Sequence, residues 1–380
     1  MSKLTESAKS IKQGKIHNTD VRILEGLAFH GPRNKAKLAA QLNMPDETLR
    51  YRMNHLRSRF SLYLFGSLYH THIGLRKVVV FAESEPGYEE LLYQSLKTND
   101  YWLYISQCIG NPKCVAIYGI PAGKEEQFAQ FLETLAKVAP IRSVKFYWST
   151  CFQNINTTTT WFDSTSEEWV FPWNSWLKEI RMKKGELPYT LKDPDEYPQK
   201  ADWADIIILK ELERDSTVKL SQIAKKLHMS LQGVKYHYEN HVIKEKMYEG
   251  HQIVADHYKG LNPETYYFRF VFKDKKNLAK FAQSLLDKPF VRVVGKVYHR
   301  NELFVQIYLP RQQLRTFIET LSKLVRTKFL ETYEYVIQDL TKTERQSISY
   351  EYFKDNNWAY DHKKYLKKLL SAAKQFAEAA

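Results

Sequence analysis

An internal duplication is the feature that most constrains how this chain can fold. Displacing the sequence by 185 positions places Asp20–Tyr51 over Asp205–Tyr236 without a gap. Further along, Phe131–Val138 meets Phe317–Leu324 at a displacement of 186. A repeat unit of this length is far longer than the unit of a stacked solenoid. We therefore predict a two-domain protein that has been duplicated within one chain.

Composition narrows the class of protein. The chain has 380 residues, 43% of them hydrophobic and 14% aromatic, which excludes wholesale disorder. Its 57 Lys+Arg and 43 Asp+Glu give a net charge of +14, so nucleic acid or another anionic partner is expected. The three cysteines (Cys108, Cys114, Cys151) show no CxxC spacing, and no apolar run reaches the length of a signal peptide core or a bilayer span. These features predict a cytoplasmic, multidomain protein with no membrane association.

Each repeat begins with the pattern of a helix-turn-helix. In the first half, helical spacing of apolar residues is interrupted at Gly31-Pro32 and again at the turn Asn43-Met44, before Pro45 opens a third helix. The second half repeats this order, with His228-Met229 as its turn. Three short helices with a tight turn between the second and third are typical of this motif. The apolar positions of the first copy are Val21, Ile23, Leu24, Leu27, Leu38, Ala39, Leu42, Leu49, Met53 and Leu56.

The remainder of each repeat predicts a βαββαβ unit. In the first half the strands are expected at 77–82, 102–109, 114–120 and 144–149, with helices at 88–96 and 125–138. In the second half they are expected at 266–272, 291–298, 303–309 and 331–337, with helices at 278–286 and 311–325. This order is that of a ferredoxin-like antiparallel sheet with helices on one face. The predicted fold class is thus α+β, a tandem duplication of a winged or helix-turn-helix domain plus a ferredoxin-like domain.

Breaks in periodicity predict the domain limits. We expect a basic N-terminal tail at 1–17, a helix-turn-helix domain at 18–66, an α/β domain at 67–152, and a Trp-rich connector at 153–200. The second helix-turn-helix domain is expected at 201–250, the second α/β domain at 251–340, and a basic helical tail at 341–380. Trp173 and Trp358, again 185 positions apart, could anchor equivalent helices in the two halves. We expect the C-terminal tail to dock on its own protein.

A helix-turn-helix followed by a βαββαβ domain resembles the leucine-responsive regulator (Lrp/AsnC) family of bacterial and archaeal transcription factors. The residues that carry the resemblance are Asp20-x-x-Ile-Leu-x-x-Leu and Leu38-Ala39-x-x-Leu42-x-Met44-Pro45-x-x-Thr48-Leu49-x-x-Arg52-Met53-x-x-Leu56. The resemblance implies that the α/β domains, which pair between subunits in that family, pair here within one chain as a pseudo-dimer. An association of two chains is left open.

The resemblance and the charge together predict a double-stranded DNA-binding, sequence-specific transcription regulator that is not an enzyme and needs no cofactor. Its recognition helices are expected to enter major grooves, with Arg50 and Arg52 as the strongest candidates for base or phosphate contacts. The segment from Arg33 to Arg59 contains seven basic residues and two acidic ones, so we expect the first half to bind DNA more strongly than the second. The candidate DNA-binding residues are Arg33, Lys35, Lys37, Thr48, Arg50, Tyr51, Arg52, Arg57, Lys225, Lys226, Gln232, Lys235, Tyr236 and His237.

The loop between the second and third strands is the expected effector site, because the resemblance implies that effectors bind where the α/β domains pair. The family's loop commonly reads Gly-x-x-Asp. Here the candidates are Gly110, Asn111 and Lys113 in the first half and Arg300, Asn301 and Glu302 in the second. Lys113 replaces the acid and His299 replaces the glycine, so an amino acid is a doubtful effector, and another small molecule or none is equally expected.

Two alternatives remain. Siroheme decarboxylases of tetrapyrrole biosynthesis also resemble this family and use the α/β interface as an active site, while a chromatin-like DNA-coating protein would bind without sequence preference.

His237 and His241 stand four apart on one helix and are a candidate metal pair. No carboxylate joins them by spacing, so surface or DNA-facing histidines are favoured. His70 and His72 alternate on an expected strand and suggest no site.

Overall fold

The computed structural model describes residues 15–138 and 140–379, so most of the predicted N-terminal tail lies outside the described residues. The first helix-turn-helix comprises α1 (Asn18–His30), α2 (Lys35–Gln41) and α3 (Asp46–Phe60). Leu24, Leu49 and Leu56 are fully buried in its core. Asn34 caps α2 by accepting a hydrogen bond from the backbone N–H of Lys37 at 3.0 Å.

The second helix-turn-helix comprises α7 (Trp203–Arg214), α8 (Leu220–Leu227) and α9 (Leu231–Tyr236). Its recognition helix departs from the first copy, because the α-helical part ends at Tyr236 and continues as a π-helical segment, His237–Ile243. A strand follows each domain. β1 (Tyr63–Leu68) and β9 (Tyr248–Val254) pair with each other in antiparallel register, with Gly66 opposite His251. We call these two strands the wings of their domains. Their pairing joins the two helix-turn-helix domains.

The first α/β domain has the predicted order. It comprises β2 (Leu75–Ser84), α4 (Glu89–Lys97), β3 (Trp102–Ile109), β4 (Cys114–Pro121), α5 (Glu125–Ala136) and β5 (Ile141–Ser149). The unbroken apolar run at Val78–Val80 is explained by burial on both faces of β2. Val78 and Val80 pack with the helices, whereas Val79 lies in a separate core on the other face of the sheet.

The second α/β domain comprises β10 (Pro263–Val271), α10 (Lys275–Leu285), β11 (Val291–Lys296), β12 (Glu302–Pro310), α11 (Arg311–Arg326) and β13 (Thr332–Arg345). β13 extends well beyond the predicted end at Ile337, and this extension pairs with β3 of the first domain. The α+β fold class with a tandem βαββαβ arrangement is thus confirmed.

The two α/β sheets form one continuous sheet that closes on itself. The strand order is β5-β2-β4-β3-β13-β10-β12-β11-β6, where β6 (Gln153–Asn154) directly continues the chain of β5. The closing contacts include the bridge between Ser149 and Val297 and the hydrogen bond from Thr150 N to Lys296 O at 2.9 Å. The inside of this closed sheet is a core of its own. The α/β domains therefore pair within one chain.

The connector and the tail cross over between the halves. The connector has two short strands, β7 (Phe162–Asp163) and β8 (Glu168–Trp169), and helix α6 (Trp173–Met182), whose Trp173 and Trp176 are buried in the core of the second α/β domain. The tail has β14 (Phe353–Lys354), β15 (Asn357–Trp358) and helix α12 (His362–Ala379), and it packs on the first α/β domain. Each half thus covers the other half's helices. Among the described residues, no helix is long and apolar enough to cross a membrane.

Candidate functional site

A cavity of about 270 Å³ lies between the paired wings and one end of the closed sheet. It opens to solvent and receives side chains from both halves. Its walls come from β1 and β9 above, from β2, β3 and β4 on one side, and from β11, β12 and β13 on the other. The polar residues that line it are Ser67, His70, Lys77, Tyr104, Asn154, Glu213, Gln252, Arg292, Gln306, Thr343, Arg345 and Gln346.

Three cations line this cavity, of which Lys77 is buried, Arg292 half-buried and Arg345 exposed. Lys77 lies on the inner face of β2 together with Val79, and its Nζ is 4.5 Å from the Phe152 ring centroid. Among the described residues its ammonium makes no hydrogen bond and no ion pair within 4 Å, although the residue is only 9% exposed. Its charge opposes the rise that burial causes in the pKa of Glu213 and of Glu249. A cation held in this way in a low-dielectric site is poised to attract an anionic ligand.

Arg345 and Arg292 are the other two cations, and both are better satisfied. Arg345 donates to Gln252 Oε1 at 2.8 Å and stacks over Phe65, while the residue as a whole stays exposed. Arg292 stacks over the Tyr308 ring at 3.9 Å, and burial lowers its pKa. Stacked guanidinium groups of this kind are suited to planar recognition of carboxylates.

His70 adds a neutral acceptor. Its Nδ1 is 3.1 Å from the carbonyl oxygen of Leu68, so Nδ1 carries the proton and Nε2 is left with a lone pair. Burial, reinforced by the charge of Lys77, lowers the pKa of His70 well below its usual value. In the described part of the chain Nε2 is buried and unpartnered. A ligand that donates a hydrogen bond would satisfy it.

A short polar chain leads from the cavity wall to Glu249. Asn154 donates to Ser67 Oγ at 2.5 Å, and Ser67 Oγ donates to Glu249 Oε2 at 2.6 Å. Burial raises the pKa of Glu249 to about 7. Its Oε1 has no partner among the residues described here. Buried groups with displaced pKa values beside a cavity are typical of a functional site.

The sequence interpretation missed this site. His70 and His72 lie in a short 3₁₀ turn, where a strand was expected. The available signal was Lys77, a lysine at the start of a run of valines, since a charged residue on the buried face of a strand requires a reason. Arg345 reaches the cavity only because β3 pairs with β13, and Glu249 reaches the cavity-lining Ser67 only because β1 pairs with β9.

The predicted DNA-binding residues of the first half fall into two groups. Arg52 is 14% exposed and pairs with the fully buried Asp20 at 3.5 Å, and Arg33 donates to the Ser216 carbonyl and stacks over Tyr238. Both arginines thus hold the protein together, contrary to the expected solvent-facing position of Arg52. Lys35 is half-buried. The residues that remain exposed are Lys37, Thr48, Arg50, Tyr51 and Arg57.

In the second half, His237 is likewise turned away from the expected DNA surface. Its Nδ1 lies 2.9 Å from Asp205, and Lys226 pairs with Glu211. The residues that remain exposed and without such a partner in the described structure are Lys225, Gln232, Lys235 and Tyr236.

The predicted effector residues lie in the β3–β4 and β11–β12 turns. Asn111 lines a second cavity of about 260 Å³ at the other end of the closed sheet, together with Arg269 and Tyr147. Gly110 is exposed, with a φ of +102°, and Lys113 pairs with Glu89 at 3.4 Å. In the other turn, Glu302 pairs with Arg269 at 2.7 Å and Arg300 lies 3.7 Å from Glu302, while the backbone carbonyl of Asn301 accepts from Phe272 N. These six residues remain a predicted effector site.

Comparison with known proteins finds similarity in structure alone. No protein-family model matches the chain. No curated protein matches it in sequence either. The crystal structure of the siroheme decarboxylase NirDL is similar over 94% of this chain and 100% of that chain, with a TM-score of 0.56 and 11% identity. The structure of the same enzyme in complex with an iron-uroporphyrin III analogue gives a TM-score of 0.49 at 11% identity, covering 89% of this chain and 93% of that chain.

Regulators are also found, over a smaller part of the chain. An AsnC-family transcriptional regulatory protein from Pyrococcus furiosus covers 35% of this chain and 88% of its own, with 18% identity and a TM-score of 0.30. Similarity to this regulator is limited to that part of the chain. The expectation that the chain is not an enzyme is wrong, because the structure that matches along its full length is that of an enzyme. At 11% identity this match establishes a shared fold.

Proposed function

We propose that this chain is a decarboxylase of the siroheme-decarboxylase type, which binds a carboxylate-rich tetrapyrrole in the cavity beneath the paired wings. The observation that carries the proposal is Lys77, a nearly buried ammonium with no hydrogen bond and no ion pair within 4 Å in the described structure, facing a cavity that also contains Arg345 and His70. The full-length similarity of fold to a siroheme decarboxylase supports it.

The reaction requires an anion site and a proton. An acetate side chain R–CH₂–CO₂⁻ loses CO₂ when its C–C bond breaks, the electron pair stays on the CH₂ carbon, and that carbon takes one proton to become a methyl group. Arg345 and Arg292 are suited to hold the carboxylates that do not react. Lys77 is assigned as the proton donor, and the lysine recovers its proton from water at the open side of the cavity.

His70 is assigned a positioning role. Its unprotonated Nε2 can accept a hydrogen bond from a pyrrole N–H or a protonated carboxyl group, which fixes the ring relative to Lys77. Because the enclosed space is about 270 Å³, just below the usual range for ligand pockets, the reacting edge of a macrocycle fits inside while the rest lies in the open mouth.

The test is incubation of the purified chain with siroheme without oxygen, with the product followed by mass spectrometry and binding followed by the Soret band. We expect stepwise loss of CO₂. Lys77→Met should lower kcat/KM by about 10²–10⁴-fold, in the range of a lost general acid. Lys77→Arg should restore binding without restoring turnover, because arginine keeps its proton. Lys145→Met, at an exposed lysine of the same sheet, is the control.

Absence of a Soret change and of CO₂ loss with the wild-type chain would refute the decarboxylase proposal. Equal turnover in Lys77→Met and Lys145→Met would refute the role of Lys77 alone.

Duplex DNA binding is the second candidate function, and one observation favours it. Lys37, Arg50, Tyr51 and Arg57 remain exposed around the first recognition helix. Against it, both wings are occupied in pairing with each other. A salt titration of binding to random duplex DNA is the test, with Arg57→Ala expected to reduce the salt slope by about one if it contacts a phosphate. Absence of salt-dependent affinity would exclude this candidate.

A further inference from the structure

Two pairs of potential metal ligands, separated by 32 positions at their nearest members, converge in the second helix-turn-helix domain. They are Asp202, Asp205, His237 and His241, here named the Asp–His cluster. One ligand atom from each lies within 4.8 Å of every other. The two histidines alone gave no convincing site in the sequence. The fold adds the two carboxylates by placing the start of α7 against the π-helical segment.

The distances within the Asp–His cluster are close to those of a metal centre. His237 Nδ1 is 2.9 Å from Asp205 Oδ1 and 3.7 Å from Asp202 Oδ2, and His241 Nδ1 is 3.1 Å from Asp205 Oδ2. Zinc bonds of about 2.0–2.2 Å to nitrogen and oxygen place the ligand atoms of a tetrahedron about 3.3–3.6 Å apart. The three contacts are within a few tenths of an ångström of this spacing, and pairs as far apart as 4.8 Å would have to close by about one ångström around an ion.

The carboxylates are held in place by the helix that carries them. Asp202 Oδ1 accepts from Asp205 N at 2.9 Å, and Asp205 Oδ2 accepts from Asp202 N at 3.1 Å, which forms a reciprocal cap at the start of α7. Asp202 Oδ2 is left to face His237. Backbone hydrogen bonds of this kind act as the outer shell that orients metal ligands.

The first repeat shows what the cluster lacks. At the displacement of 185, Arg52 stands where the second half has His237, and Leu56 stands where it has His241. In the first half, Arg52 pairs with the fully buried Asp20 and supplies the positive charge there. The matching Asp205 is equally buried but has no arginine or lysine partner in the described structure. A divalent ion would supply the missing charge.

We propose that the Asp–His cluster binds a divalent transition metal, with zinc as the expected ion. Two imidazoles and two carboxylates suit zinc in tetrahedral coordination, and calcium or magnesium would require more oxygen ligands. The site is accessible, because the side chains of Asp202 and His241 are 40% and 34% exposed. The metal would join the start of α7 to the π-helical segment and so fix the second recognition helix. This site is separate from the proposed substrate cavity.

The experiment is titration of the full, metal-stripped chain with Co²⁺, followed by displacement with Zn²⁺. We expect the visible absorption of tetrahedral Co²⁺ at one equivalent per chain, its loss on adding Zn²⁺, and a rise of several degrees in the Tm with Zn²⁺. His237→Arg reproduces the arrangement of the first half, so it should fold and lose the Co²⁺ absorption. His241→Leu should lose it too.

His30→Ala, at an exposed histidine at the end of α1, is the matched control and should keep the Co²⁺ absorption. Asp202→Asn, at the most exposed ligand, should weaken Co²⁺ binding at least tenfold and serves if His237→Arg does not fold. No Co²⁺ absorption in the wild-type chain at tenfold excess would overturn the proposal. Equal Co²⁺ binding by the wild type, His237→Arg and His241→Leu would overturn it as well.

Discussion

The two helix-turn-helix domains share a scaffold but differ in the side chains that stabilise a buried aspartate. Each begins its first helix with a fully buried aspartate, Asp20 in one copy and Asp205 in the other. In the first copy Arg52 faces this carboxylate, whereas in the second His237 and His241 face it. Burial raises the pKa of both aspartates, so each stays charged only with help from its partners. The two copies thus surround the same buried carboxylate with different side chains, an arginine in the first and two imidazoles in the second.

The largest expected effect comes from breaking the ion pair of the first copy. Arg52→Leu leaves the buried Asp20 without its cation and should lower the free energy of unfolding by about 3–5 kcal/mol, as measured by urea denaturation. Arg50→Ala is the control, because its pair with Asp46 is largely exposed and is worth about 0.5 kcal/mol or less. Equal losses in the two variants would show that Arg52 does not support the first domain.

A second contrast lies in the wings and predicts a pH dependence. At the displacement of 185, Leu64 of β1 corresponds to Glu249 of β9, whose pKa is raised by burial to about 7. Because the folded state then binds a proton more tightly than the unfolded state, this group's stabilisation is present below about pH 4.5 and is lost as the pH rises through 7.

Glu249→Gln should remove this dependence, so its stability relative to wild type should increase with pH between about 4.5 and 7. The slope is at most about 1.4 kcal/mol per pH unit. Unfolding measured at several pH values tests it. Glu245→Gln is the control with the opposite sign, because the hydrogen bond from Lys200 lowers the pKa of Glu245. A flat difference between Glu249→Gln and wild type would contradict the assignment.

The wings also differ in how closely they pack. Gly66 of β1 corresponds to His251 of β9, and a Cβ at Gly66 would lie 2.6 Å from the Leu212 carbonyl oxygen and 2.7 Å from the Tyr248 ring. Because a backbone atom cannot easily give way, Gly66→Ala should destabilise the chain by about 1–3 kcal/mol. Thermal unfolding tests this, and an unchanged Tm would show that β1 can move away from the Leu212 backbone without cost.

The smallest effect is expected in the second recognition helix. Gly233 of α9 corresponds to Thr48 of α3, and a Cβ there would meet the flexible side chains of Met229 and Ser230 at 3.3 Å. Gly233→Ala should therefore stabilise the chain by about 0.5–1 kcal/mol through helix propensity. A loss of stability instead would indicate that the π-helical segment requires the freedom of this glycine.

Local pattern was enough to predict much of the fold. Helices, turns and strands follow from the order of residues that are close together along the chain. Examples are the helical spacing around Leu24 and Leu49, the tight turns, and the apolar run Val78–Val80. The predicted domain limits remain predictions. The site could not be found in the same way, because Lys77 lies 268 positions from Arg345, and only strand pairing brings them to one cavity.

The sequence by itself determined the duplication, the α+β class and the basic character of the chain, since these follow from local periodicity and composition. Only the tertiary structure decided that the sheet closes on itself, that the wings pair, and that Arg52 and His237 turn inward. The physical reason is burial. The sequence does not show whether a charged side chain faces water or a buried carboxylate. Its surroundings in the folded chain decide which anion, metal or substrate it can bind.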